Sequence, residues 1–120
     1  MPEDTHPITE LPPTELLATL APARRRRTLR SLNRSSPRVL AGLARDVAWM
    51  EATEVRRRDA ESTTGRVELD LFHCQLPALD DAGLVRYDAA SGSVEITSRG
   101  SEADDWLRHW VERGMPVGRD

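Results

Sequence analysis

The sequence contains no lysine; all 17 of its basic residues are arginine. It has one cysteine, Cys74, so no disulfide can close within the chain, and this usage fits a reducing compartment. Aromatic residues make up only 4% of the chain, so a core must be built mainly from Leu, Val and Ala. No apolar run approaches the roughly 18 residues that a membrane-spanning helix needs. The first twenty residues, MPEDTHPITELPPTELLATL, lack the basic and apolar regions of a secretion signal. These absences predict a cytoplasmic protein without a membrane span. Metal-ligand spacings such as CxxC, HxxxH and HExxH are also missing. His73 and Cys74 are adjacent, so on a helix they point about 100° apart and cannot easily share an ion. They read as a surface histidine and a buried cysteine. No Gly-rich phosphate loop occurs, and no nucleophile has a base at motif spacing. Asp80-Asp81 and Asp104-Asp105 read as capping and solvation at helix ends. The expectation is a protein that is not an enzyme and has no cofactor, no metal and no catalytic residue.

What is present is an uneven charge layout. The net charge is −3, but residues 1–20 carry −4, residues 21–58 carry +8 and residues 59–120 carry −7. A basic middle between acidic ends suggests an electrostatic footprint. Its most conspicuous part is ARRRRTLR at 23–30. On a helix Arg24, Arg25, Arg26 and Arg27 point in four directions and cannot form one flat patch. Arg26 and Arg30 share one face; Arg27, Arg30 and Arg34 form another. Arg25, one turn before Leu29, should lay its stem along apolar surface with its head in water. The cluster therefore reads first as a solvated helix face, with direct nucleic-acid contact as the alternative.

Residues 1–13 are acidic and hold Pro2, Pro7, Pro12 and Pro13, the composition of a disordered tail. Thr14 can cap a short helix to Leu20, and Pro22 can open a second helix running to about Asn33. Ser36 and Pro37 should cap and open the next, whose Leu40, Leu43, Ala44, Val47 and Ala48 recur with helical period. The following helix carries Val67 and Leu71 on one line and Leu69, Phe72, Leu76 and Leu79 on a neighbouring stripe. Pro77 should bend it near its end, and Gly83 should stop it with a positive φ. LVRYD (84–88) and SVEIT (93–97), joined by AASG, read as a β-hairpin. The tail predicts a last helix capped by Ser101, with Asp104 and Asp105 in its first turn and a stop at Gly114. The fold class is thus mainly α with a small β-hairpin: a winged helix-turn-helix over 14–97 with an added C-terminal helix over 98–114 and a tail over 115–120.

LPALDDAGLVRYD (76–88) followed by GSVEIT (92–97) resembles a family of short haloarchaeal winged-helix domains of unannotated function. LLATLAPARRRRTLRSL and LARDVAWME (43–51) are similar to it as well, so the resemblance covers roughly residues 14–97. The broader likeness is to ArsR-like and MarR-like regulators. It implies a DNA-binding regulator without enzymatic activity, and it assigns the lysine deficit to high salt.

In a winged helix the third helix meets base edges in the major groove. Its outward positions here should be Thr63, Arg66, Asp70 and His73, of which Arg66 suits guanine, while Asp70 and Glu68 oppose DNA. Arg56, Arg57 and Arg58 fall just before this helix; Arg34 and Arg38 fall at the entry to the preceding one. These would supply phosphate contacts, with Arg86 on the wing. The expected partner is double-stranded DNA, and the alternative is a winged helix that binds another protein. The C-terminal stripe Ala103, Trp106, Leu107, Trp110 and Val111 holds two of three tryptophans. It is expected to pair two copies as a homodimer, with Trp106, Leu107, Trp110 and Val111 as dimerisation residues; folding back on its own domain is the competing use.

Overall fold

The computed structural model describes residues 14–55 and 64–112, and side chains within 16–53 and 64–109. Its elements run α1 (Thr14–Thr19), α2 (Ala23–Arg34), β1 (Arg38–Val39), α3 (Leu40–Val55), α4 (Thr64–Asp70), a π turn (Leu71–Gln75), α5 (Leu76–Asp81), β2 (Val85–Asp88), β3 (Ser93–Ile96) and α6 (Ser98–Glu112). The architecture is mostly helical, with a three-stranded antiparallel sheet in the order β1-β3-β2. It is compatible with a winged helix whose wing is the β2–β3 hairpin. The hairpin pairs Val85 with Ile96 and Asp88 with Ser93.

The core is built largely from leucine and valine, as the shortage of aromatics requires. Leu29 and Leu32 of α2, Leu43 and Val47 of α3, Val67, Leu71, Leu76 and Leu79 of the α4–α5 rod, and Val85 and Val94 of the hairpin are all buried. Gly83 follows α5 with φ +80°, a left-handed residue that lets the chain reverse into β2.

Three expectations about this frame need correction. First, Ser36 and Pro37 do not open a helix. A short strand comes first, pairing Arg38 with Val94 and Val39 with Ser93, and the Ser36 hydroxyl accepts the Ile96 N–H (3.0 Å). Two residues are too short for an alternating pattern, so hydrophobic periodicity misses the strand.

Second, Leu69 and Phe72 do not share a buried stripe with Leu76 and Leu79; they are 59% and 41% exposed. In a regular α-helix Leu76 would lie about 140° around from Leu71. The π turn inserts one residue, and the Leu76 N–H bonds the Leu71 carbonyl five residues back. Leu76 and Leu79 thereby join Val67 and Leu71 in the core, while Phe72, His73 and Cys74 face out. Cys74 is accordingly exposed rather than buried. Pro77 gives the reason for the wider turn: it has no N–H, and its ring would crowd the His73 carbonyl four residues back.

Third, α6 starts three residues before Ser101. Thr97 caps it, its hydroxyl accepting the Gly100 N–H (3.0 Å), while the Ser101 hydroxyl donates to Asn33 (2.8 Å). Gly100 lies so close to the α5–β2 turn that a Cβ there would stand 2.1 Å from the Leu84 carbonyl oxygen. Asp104 and Asp105 therefore sit inside the helix. No helix among the described residues is long and apolar enough to cross a membrane.

Candidate nucleic-acid interface

The first arginine cluster is engaged within the fold: Arg24, Arg25 and Arg27 are half-buried, and only Arg26 of the four is exposed. Arg24 donates from Nε and Nη2 to Glu51 of α3 (2.5 and 2.7 Å) and from Nη1 to Asp70 of α4 (2.9 Å). Glu51 is nearly buried, and Arg27 approaches it to 3.6 Å. The double hydrogen bond to Glu51 holds the Arg24 guanidinium's pKa well above its ordinary value, although burial opposes this. Arg25 does not keep its head in water: it donates to the Gln75 side chain (2.7 Å) and to the Thr19 carbonyl (2.9 Å). Arg26 donates to the carbonyls of Leu20 and Ala21 at the end of the α1 turn. Arg24 and Arg27, nearly one turn apart, thus converge on Glu51, while Arg25 and Arg26 between them reach Gln75 with Thr19 and the Leu20–Ala21 carbonyls.

One sequence signal could have revealed this clasp. Glu51 continues the α3 apolar stripe, four residues after Val47 and three after Ala48. A carboxylate on a buried face requires a partner, and Arg24 is that partner.

The clasp changes the chemistry of the helix-turn-helix. Asp70 does not face outward as a reading-head residue. It accepts from Arg24 and from Gln75 (2.9 Å each). Burial raises its pKa, but these hydrogen bonds and the Arg24 charge outweigh that and leave the carboxyl below its ordinary range. Arg66 and His73 are exposed on the α4–π face, and Arg86 is exposed on β2. The Phe72 ring stands edge-on to His73 (centroids 4.8 Å apart) and to Tyr87 of the wing (6.4 Å), tying helix to hairpin. Burial, with Asp88 and Glu68 nearby, raises the Tyr87 pKa.

The proposed flanking cations fare differently. Arg38 is committed inside the fold: it donates to the Ser31 hydroxyl and the Gly42 carbonyl (3.1 Å each), and Asp46 lies 3.7 Å away. Ser31 in turn donates to Asp46. Strand β1 turns Arg38 back over α2, where its guanidinium is half-buried. Arg34 is exposed, with Asp46 at 3.4 Å. Arg56, Arg57, Arg58 and Thr63 lie outside the described residues, as do the side chains of Trp110 and Val111. Trp106 is 5% exposed within its own chain, and Leu107 packs against the same core. This half of the C-terminal stripe folds back, because α6 lies along α2. Asp104 beside it is buried rather than solvated. It accepts from Asn33 (2.9 Å), with Arg108 and Arg30 at 3.4 and 3.5 Å.

Residues 17–95, from α1 into β3, match the family model described as Domain of unknown function (DUF7344). The chain belongs to this family. No curated protein and no solved structure matches it. In DUF7344 terms the Arg24–Glu51–Asp70 clasp lies wholly inside the matched region, whereas α6 and its Asp104 pairing lie beyond it.

Proposed function

We propose that this chain is a cytoplasmic, homodimeric winged-helix regulator that binds double-stranded DNA and has no catalytic role. The observation that carries the reading is the inward turn of Asp70. With that carboxylate held by Arg24 and Gln75, the outward face of α4 and the π turn presents Arg66 and His73, and of the two acids that would oppose a phosphate wall, Asp70 and Glu68, the first has its charge paired internally. Arg86 of the wing, Arg34, and Arg56 to Arg58 just ahead of α4 would add phosphate contacts. Trp110 and Val111 on α6 are the positions left to pair two copies across a palindromic site.

A second reading is favoured by the exposed Leu69 and Phe72, which suit a protein partner better than a charged backbone. Salt separates the two. DNA affinity measured by gel shift on fragments of the organism's own genome should fall with a log–log slope of about −0.9 per phosphate contact. Arg66→Gln and Arg86→Gln should each weaken binding, and each lost phosphate contact should flatten the slope by about one. Binding that is absent at low salt, or unmoved by these changes, overturns the DNA reading.

A further inference from the structure

A cleft of about 180 Å³ opens between α2 and α6, away from the α4 face. Arg26, Arg27 and Arg30 form one wall, Met50 and Leu107 supply apolar surface, and Asp104 lies at the edge. Arg30 lies three residues after Arg27 and four after Arg26, so it neighbours both on the helix surface and the three meet at the same opening.

The acids nearby are already engaged. Glu51 takes two hydrogen bonds from Arg24 before Arg27 reaches it at 3.6 Å. Asp104 takes one from Asn33 and also faces Arg108. Arg30 Nε is buried and makes no hydrogen bond; its nearest carboxylate oxygen, on Asp104, is 3.5 Å away. Nε itself is closed to solvent, but the Arg30 side chain as a whole is 40% exposed, so the guanidinium has surface that an anion entering the cleft can meet.

We infer that this cleft binds a short aliphatic carboxylate, its head group on Arg30 and its neighbours and its hydrocarbon body against Met50 and Leu107. The size fits, since a cavity of roughly 150 Å³ holds a guest as large as benzene. A phosphate dianion fits less well: Met50 and Leu107 offer it only apolar surface, and Asp104 repels a second negative charge more than a first. Guanidinium forks match a planar carboxylate in two parallel bonds.

The test is calorimetric titration of the full chain, at constant ionic strength, with three probes: 4-methylpentanoate, its neutral amide, and inorganic phosphate. The carboxylate should bind at least about tenfold more tightly than either of the others. Arg30→Gln should weaken it by a similar factor. Because Arg30 also faces Asp104, a second variant guards against a folding defect: Ala23→Leu fills the cleft and leaves every charge in place. It should abolish carboxylate binding without lowering the melting temperature. Equal binding of carboxylate and amide, stronger binding of phosphate, or carboxylate binding that survives Ala23→Leu overturns the inference.

Discussion

Replacing Arg24 with methionine keeps much of the side chain's length and removes three hydrogen bonds at once, two to Glu51 and one to Asp70. Glu51 has a side chain only 8% exposed and would lose its double hydrogen bond while Arg27 stays at 3.6 Å. Removing one partner of a buried ion pair costs about 3–5 kcal/mol, chiefly because the other charge stays buried. Here Arg27 compensates in part and Asp70 can be hydrated, so we expect a loss of about 2–3 kcal/mol. For a domain of this size that corresponds to a fall in melting temperature of roughly 10–20 °C.

Circular dichroism melts should show this loss, while Arg34→Gln, at an exposed pair 3.4 Å from Asp46, should cost less than about 1 kcal/mol. Adding Glu51→Gln to Arg24→Met should recover part of the loss, since it removes the stranded charge. Acidity supplies an independent check. In the variant, Glu51 should have a pKa above its unfolded value, so its penalty is full at neutral pH and fades as pH falls. In the parent, Asp70 has a lowered pKa, so its contribution is present above about pH 3.9 and is lost as pH falls further. Both effects narrow the gap between the two proteins on acidification. If Arg24→Met costs no more than Arg34→Gln, or if the gap widens in acid, the clasp does not hold the fold.

Gly100→Ala should destabilise the protein by more than about 1–3 kcal/mol, the usual cost of overpacking, because the new Cβ meets a backbone oxygen at 2.1 Å and cannot rotate away; denaturant titration measures it. Gly83→Ala should cost about 1–2 kcal/mol, since only the φ of +80° is strained and the nearest atom to a Cβ, in the Arg99 side chain, is 3.8 Å away; the same titration should rank it below Gly100→Ala.

Much of the frame was legible in the sequence because its signals are local. The Leu40–Ala48 periodicity, the Gly83 reversal and the hairpin spacing each depend on a few neighbouring residues. The errors arose where distant residues or helix phase decided the outcome. Helical rotation separated Arg25 and Arg26 from Arg24 but could not show that Arg24 and Arg27 converge on Glu51, nor name Arg24's partners, which lie 27 residues away at Glu51 and 46 away at Asp70. Strand β1 exists because β3 offers it an edge. Asp104 looked like a first-turn residue because Ser101 looked like a cap, yet Thr97 takes that role with its own hydroxyl. Of the expected DNA contacts, Arg66, His73 and Arg86 are exposed, whereas Arg38 is consumed by Ser31 and Gly42.

The single widened turn at Leu71–Gln75 works like a joint between two dials on one shaft. The inner markings of both dials stay aligned on the core, from Val67 and Leu71 to Leu76 and Leu79. The extra residue is absorbed on the outer side, where Phe72, His73 and Cys74 stand exposed in succession, and it turns everything after it by about 100°. Deleting one residue from that turn would therefore swing Leu76 and Leu79 off the core together, so the rod's length in residues is fixed by its buried face.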